Sequence, residues 1–193
     1  MTTEKNSHLR QALEYWKGGQ PREAGRLIFE NLPSEVRPKW AAQVLETVLK
    51  RTGIKSKPID HILYISKHPN EWHKGHDASS KIGGEISNLI NRPDVLKRTI
   101  RFIYKLIGSN FNDELLVRHL ALAKFVARVT YNATNPDDEF DEDNGWYIAS
   151  SLKDILDLLN DEKFSESMWP VLCNGLVKPE GKGPSTQGTP LEK

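Results

Sequence analysis

Apolar residues recur at the i, i+3, i+4 and i+7 spacing of an amphipathic α-helix along almost the whole chain. The clearest case lies between Asn112 and Asn132, where polar residues occupy one arc of a helical projection and apolar residues fill most of the rest. The alternation of apolar and polar residues that is typical of strands is scarce. We therefore expect an all-α fold with the 112–132 helix at its centre.

Proline near the start and glycine just past the end mark two further helical segments, residues 37–53 and 92–108. In the second segment the row expected to face the core is Leu96, Ile100, Ile103 and Ile107. With the other periodic segments, these patterns predict a single helical bundle, or a short array of helical hairpins, of about seven to eight helices.

The N-terminal segment resembles a tetratricopeptide hairpin. Tyr15, Gly19, Ala24 and Ile28 stand at the spacing of the tyrosine, turn glycine, small residue and large apolar residue of that family. The proline that follows, Pro33, comes earlier than in the family, and no second copy follows. For residues 9–32 the resemblance implies two helices packed against each other.

The helical patterns cover residues 8–177, which we predict to be one domain, because 193 residues fit a domain of ordinary size. Residues 1–7 are expected to be a flexible N-terminus. Residues 178–193 are rich in glycine, proline and polar residues and cannot bury enough apolar surface to offset their conformational entropy. They are expected to be a disordered tail.

Cysteine use and hydropathy bear on the compartment. The single cysteine, Cys173, excludes an internal disulfide and a cysteine-based zinc site, and indicates a reducing environment. No uncharged apolar run reaches the roughly 18 residues that a membrane span needs. We expect a cytoplasmic protein that does not insert into a membrane.

Charge is distributed unevenly along the chain. Residues 1–132 carry a net charge of +9 and residues 133–193 a net charge of −8, including six acids between positions 137 and 143. The acidic run is not an EF-hand, because counting Gly145 as the sixth loop position places Phe140 first and Ser151 twelfth, where carboxylates are required. Each part of the chain is expected to attract partners of opposite charge.

Four of the six histidines lie between positions 61 and 77. The adjacent pair His76 and Asp77 resembles the dyad of the HD-type metal phosphohydrolases, in which an upstream histidine and a downstream aspartate complete a metal site. That resemblance implies a helical hydrolase with a divalent metal. The upstream ligand would be His61, His68 or His73, and the downstream ligand Asp94 or Asp113.

Helical spacing suggests a related metal set, because His73 and Asp77 are four residues apart and His119 could join them from a packed neighbouring helix. The candidate metal ligands are therefore His61, His73, His76, Asp77 and His119. A structural interpretation competes with this one. Asp77 precedes an amphipathic segment and would serve as its N-cap, Asn70 would cap a short preceding turn, and His119, on the apolar arc of its helix, would be a buried neutral imidazole.

The helix predicted for residues 92–105 suggests a third kind of site. Lys97, Arg101 and Lys105 form an i, i+4 row beside Arg98, which could contact the phosphates of a nucleic acid. The alternative is a solvated outer face, since no known nucleic-acid-binding signature accompanies the row.

Each candidate site has a simpler structural explanation, so we expect a non-enzymatic adaptor without a cofactor. It would bind another protein through a helical groove or the acidic loop. A metal-dependent hydrolase using the 61–77 cluster and a divalent cation is the second hypothesis, and nucleic-acid binding is the third. The sequence does not identify the partner or the oligomeric state.

Overall fold

A computed structural model describes residues 2–106, 112–135, 143–174 and 176, without the side chains of residues 2–6, 104 and 105. Within these residues the chain forms nine α-helices and one short 3₁₀ helix, and no strand. The helices are α1 (Thr2–Lys17), α2 (Pro21–Glu30), α3 (Arg37–Thr52), α4 (Lys57–Lys67), α5 (Gly75–Ile90), α6 (Asp94–Leu106), α7 (Asp113–Asn132), α8 (Asn144–Leu159) and α9 (Glu162–Cys173), with the 3₁₀ helix at Pro69–Lys74. The all-α prediction is confirmed.

Helix α7 is the centre of the bundle, as its sequence predicts. It packs against α3, α4, α5 and α8. The side chain of Asn112 caps its first turn by accepting hydrogen bonds from the backbone N–H groups of Glu114 and Leu115. Its buried apolar residues are Leu120, Leu122, Ala123, Val126, Ala127 and Val129. Burial of this wide apolar face holds α7 in place.

Helices α2 and α8 meet through two glycines. A Cβ atom added to Gly145 would lie 2.5 Å from the carbonyl oxygen of Gly25 and 2.9 Å from Cγ of Phe29. A Cβ added to Gly25 would meet the backbone carbonyl of Gly145 and the side chain of Ala149. The two backbones therefore approach closely enough that only glycine fits at either position.

Helix α9 closes one end of the bundle through Trp40 of α3. The indole of Trp40 is buried, and its Nε1–H donates a 2.7 Å hydrogen bond to the carbonyl oxygen of Leu172. Its ring also packs against Phe29, with ring centroids 6.2 Å apart. This arrangement buries a large aromatic side chain while pairing its single polar group.

Several boundaries differ from the sequence-based expectation. Helix α1 begins at Thr2, upstream of the predicted domain boundary at residue 8. Residues 57–67 form α4, which has Pro58 in its first turn and buries Ile59, Ile62 and Ile65. The predicted end of α3 at Gly53 is confirmed, because Gly53 adopts a left-handed conformation with φ 68°. The predicted tail, residues 178–193, lies outside the described residues.

The predicted core-facing row of α6 is wrong. Leu96 and Ile103 are 46% and 50% exposed, and Ile100 is half-buried. No other helix in the described ranges packs extensively along α6. Position 107 and the expected end at Gly108 lie outside those ranges. Periodicity identified α6 as amphipathic and found part of its apolar face, but periodicity cannot tell whether another element covers that face.

Candidate functional site

The histidine-rich segment spreads over α4, the 3₁₀ helix and the start of α5. His61 is exposed on α4, and His73 is exposed in the 3₁₀ helix. His68, which follows α4, stacks on Tyr64 with ring centroids 4.1 Å apart, and its Nδ1 lies 2.7 Å from the carbonyl oxygen of Tyr64. In the 3₁₀ helix, the pairing of Glu71 with Lys74 lowers the pKa of Glu71.

His76 and Asp77 lie in the first turn of α5 with most of their side chains in solvent. Nδ1 of His76 is 3.8 Å from Oδ1 of Asp77. The prediction that Asp77 caps this helix is wrong, because α5 begins at Gly75 and makes no side-chain cap hydrogen bond. Asp77 instead lies within the first turn, where a carboxylate is favoured by the helix dipole. The predicted cap at Asn70 is also wrong, because Asn70 lies inside the 3₁₀ helix and His68 precedes it.

His119 is buried in the core, as predicted, away from solvent. Its Nδ1 lies 2.6 Å from the carbonyl oxygen of Leu115, and its Nε2 lies 2.9 Å from Oγ1 of Thr52. Burial lowers the pKa of His119, and the hydrogen bond to Leu115 partly opposes that shift. In the neutral ring, Nδ1–H donates to the carbonyl, and Nε2 is left as an acceptor that faces the Thr52 hydroxyl, which also bonds the carbonyl oxygen of Val48. Both ring nitrogens are thus occupied by structural partners.

The candidate metal ligands are therefore distributed between solvent and core. His61, His73, His76 and Asp77 are exposed, whereas His119 is buried and paired. Across the described ranges, no group of three or more His, Cys, Asp or Glu residues is placed to hold one metal ion. Metal binding by this set, and the hydrolase hypothesis that depends on it, stay predictions.

A polar recess of about 490 Å³ lies between α5 and α7. Its lining residues are His76, Ser79, Ser80, Gly83, Lys124, Arg128, Tyr131 and Asn132. The two helices approach closely at one end, because a Cβ added to Gly75 would lie 2.5 Å from the carbonyl oxygen of Ala127. Only His76 among these lining residues belongs to the predicted metal set.

The sequence did not predict this recess, although one row of its lining residues can be recognised in the sequence. Lys124, Arg128 and Asn132 follow one another at i, i+4 spacing on the polar arc of α7. That row alone is typical of a solvated face. Its pairing with the small residues of α5 depends on helix packing, which a single sequence does not specify.

Among the residues that the structure describes, the most exposed apolar surface belongs to α6. Val95, Phe102 and Leu106 are 76%, 62% and 69% exposed, and Leu96 and Ile103 are about half exposed. At 100° per residue these five side chains fall on one arc. We call this surface the α6 apolar face, defined as Val95, Leu96, Ile100, Phe102, Ile103 and Leu106.

The opposite arc of α6 is basic. It carries Lys97, Arg98 and Arg101, and Lys105 occupies the same arc in the sequence. Lys97 is partly engaged, because its Nζ donates a 2.9 Å hydrogen bond to the carbonyl oxygen of Ile90. Arg98 and Arg101 are exposed. The stripe proposed for phosphate contacts thus lies on the same helix as the α6 apolar face.

The acidic residues 137–142 lie outside the described residues. Within the helices that the structure describes, none is both long and apolar enough to cross a bilayer. No protein-family model, curated protein or solved structure matches the chain.

Proposed function

We propose that this protein is a non-enzymatic interaction domain and that α6 is the helix that binds its partner. The observation that carries the proposal is the exposure of the α6 apolar face on a helix that does not pack extensively against any other described helix. Exposed apolar side chains grouped on one surface mark interaction sites in soluble domains, whereas single exposed residues are ordinary. An amphipathic helix of this kind binds by laying its apolar face into a groove.

The charge of α6 specifies the partner further. Lys97 and Arg98 lie closest to the edges of the apolar face at 100° per residue, and Arg101 and Lys105 lie opposite it. These four basic residues outnumber the single acid of the helix, Asp94. A complementary groove is therefore apolar along its floor and acidic along its rim. We propose a partner protein with such a groove, long enough for a 13-residue helix of about 20 Å.

The acidic C-terminal part of the chain favours a protein groove over an anionic membrane. Residues 133–193 carry a net charge of −8, and an anionic bilayer extends beneath the whole molecule and repels that part. A groove on a protein is local and contacts α6 alone. Salt screens the repulsion between the acidic residues and an anionic bilayer beyond about 8–10 Å at ordinary ionic strength, so it acts on acidic residues close to the bilayer surface.

The experiment introduces a photo-crosslinking amino acid at Val95 of the full chain and, as control, at Leu158 of α8, which is 37% exposed. The expected result is one protein crosslinked from position 95 and not from position 158. That protein is then purified and titrated with the chain. We expect the double substitution Phe102→Ser with Ile103→Ser to weaken binding at least about thirtyfold, because each truncated apolar anchor costs more than about 1 kcal/mol of binding free energy. The control substitution Leu158→Ser should leave binding unchanged.

Three outcomes would contradict the proposal. If the chain sedimented with phosphatidylserine vesicles and the substitutions Phe102→Ser and Ile103→Ser abolished that sedimentation, the α6 apolar face would bind a membrane surface instead. The same substitutions abolishing self-association in sedimentation equilibrium would identify a second copy of the chain. Binding to duplex DNA or RNA that falls steeply with salt and needs Arg98 and Arg101 but not Phe102 would favour the nucleic-acid hypothesis. Circular dichroism of each variant controls for folding.

A further inference from the structure

A second recess, of about 460 Å³, lies between the C-terminal end of α1 and helix α9. Each helix contributes one tryptophan to its lining. The ring centroids of Trp16 and Trp169 are 6.1 Å apart, with 37° between the ring planes, and both side chains are half-buried. The face of an indole ring carries negative charge density that attracts cations. Two neighbouring indoles therefore give this α1–α9 recess a wide surface on which a cation can rest.

No cation of the protein uses that aromatic surface in the described residues. Elsewhere in the chain one tryptophan does have such a partner, because Cζ of Arg22 lies 4.8 Å from the centroid of the Trp146 ring. Among the residues that the structure describes, no arginine or lysine lies over the ring of Trp16 or Trp169 in this way. Their exposed ring surface is available to a cation from outside the protein.

The charged lining of the α1–α9 recess is predominantly acidic. Glu162 and Glu166 lie one turn apart on α9 and are exposed, and Lys17, in the last turn of α1, is the one cation among the described residues that line the recess. Within the described part of the chain, neither carboxylate makes a hydrogen bond or an ion pair. Two carboxylates against one ammonium group leave a net charge of −1, which favours a cationic ligand.

Helix α9 adds a further negative group through Pro170, which lies inside it. In a regular α-helix the N–H of residue 170 would donate to the carbonyl oxygen of Glu166, but proline has no N–H. That carbonyl oxygen therefore lacks its regular helical partner, and Glu166 and Trp169 both line the recess. A carbonyl oxygen without this partner carries a partial negative charge that a nearby cation stabilises.

The aromatic surface selects among cations. A primary ammonium group is strongly hydrated and has three N–H groups, each of which needs an acceptor once water is removed. A quaternary ammonium group has no N–H, and its positive charge is spread over methyl groups that can pack directly against a ring. Tryptophan is the side chain that attracts such groups most strongly.

We propose that the α1–α9 recess binds a small soluble quaternary ammonium compound. Its methyl groups contact the rings of Trp16 and Trp169, and its charge lies near the carboxylates of Glu162 and Glu166. A volume of about 460 Å³ is within the range of small-molecule sites. The site is separate from the α6 apolar face, and its failure would leave the proposed function intact.

The test is calorimetric titration of the full-length chain with choline at constant ionic strength. The first comparison ligand is dimethylbutanol, the neutral isostere of choline in which carbon replaces nitrogen, and the second is ethanolamine, which carries a primary ammonium group. We expect saturable binding of choline and no binding of dimethylbutanol. Ethanolamine should bind at least about tenfold more weakly, because it keeps its hydration and makes a poorer contact with the rings.

Matched variants assign the binding to the recess. Trp169→Leu should weaken choline binding about fivefold or more, because the aromatic contact is lost, and Trp72→Leu, outside the lining, should not. Because Trp169 also packs against the core, a second variant changes charge alone. Glu166→Gln should weaken binding, and Glu85→Gln, which removes an exposed carboxylate of α5, should not. Lys17→Gln removes the competing cation and should strengthen binding.

The proposal is overturned if choline does not bind saturably, or if dimethylbutanol or ethanolamine binds as tightly as choline. It is also overturned if Glu85→Gln weakens binding as much as Glu166→Gln, since that pattern means a diffuse electrostatic attraction. A Trp169→Leu variant that keeps the native circular dichroism spectrum and binds choline normally would exclude the aromatic contact. Binding confined to a peptide that carries trimethylated lysine would assign the recess to a modified protein and overturn the proposed small ligand.

Discussion

The crossing of α2 and α8 gives the sharpest stability prediction, through the substitution Gly25→Ala. The added methyl group would lie 3.0 Å from the carbonyl carbon of Gly145 and nearer still to the oxygen of that carbonyl. These are backbone atoms of another helix, so no side-chain rotation relieves the overlap. The two helices must separate along a contact that includes the buried side chains of Ile28 and Phe29.

The size of the effect follows from two opposing contributions. Overfilling a packed core costs about 1–3 kcal/mol, and the upper end applies because backbone must move. Replacing glycine by alanine inside a helix gains about 1 kcal/mol. We therefore expect Gly25→Ala to lower the free energy of unfolding by about 2 kcal/mol, and the melting temperature by roughly 4–8 °C for a chain of this length.

Urea denaturation followed by circular dichroism measures this change, with Gly84→Ala as the matched control. Gly84 lies in α5 with open space around it, so its replacement should stabilise the protein by about 0.5–1 kcal/mol. The two substitutions are chemically identical and opposite in predicted sign. If Gly25→Ala stabilised the protein as Gly84→Ala does, the close approach of α2 and α8 would be refuted.

Two further predictions concern titratable groups. Burial lowers the pKa of His119 below the value of 6.5 expected when the chain unfolds. The neutral ring therefore contributes fully to the free energy of unfolding above about pH 6.5. That contribution is lost as the pH falls toward the folded pKa, by at most about 1.4 kcal/mol per pH unit. Urea titrations at pH 7.5 and 5.5 should show this slope reduced in His119→Gln, and an identical slope in both proteins would contradict it. Burial also raises the pKa of Cys173 to about 12, which reduces its thiolate fraction at pH 8 about a thousandfold relative to an exposed thiol. An aromatic disulfide reagent should therefore modify the half-buried Cys173 rapidly only after denaturation, and rapid modification of the native protein would refute the raised pKa.

The sequence predicted those features of the candidate sites that depend on the spacing of residues within a single helix. The polar row of α7 and the amphipathic character of α6 follow from helical spacing alone. The burial of His119 followed from its position among the apolar residues of α7. The errors at Asp77 and Asn70 concern helix boundaries, because several nearby residues each supplied a plausible start signal.

The sequence by itself determined that this chain is helical, that α7 has a wide apolar face and that α3 ends at Gly53, since each depends on interactions between residues a few positions apart. Tertiary structure decided that no other helix in the described part of the chain packs along the apolar face of α6, and that Gly25 meets Gly145. It also decided that the cations of α7 face the serines and Gly83 of α5. These features depend on contacts between residues far apart in the chain, and helical periodicity specifies which face of a helix is apolar without specifying what lies against it.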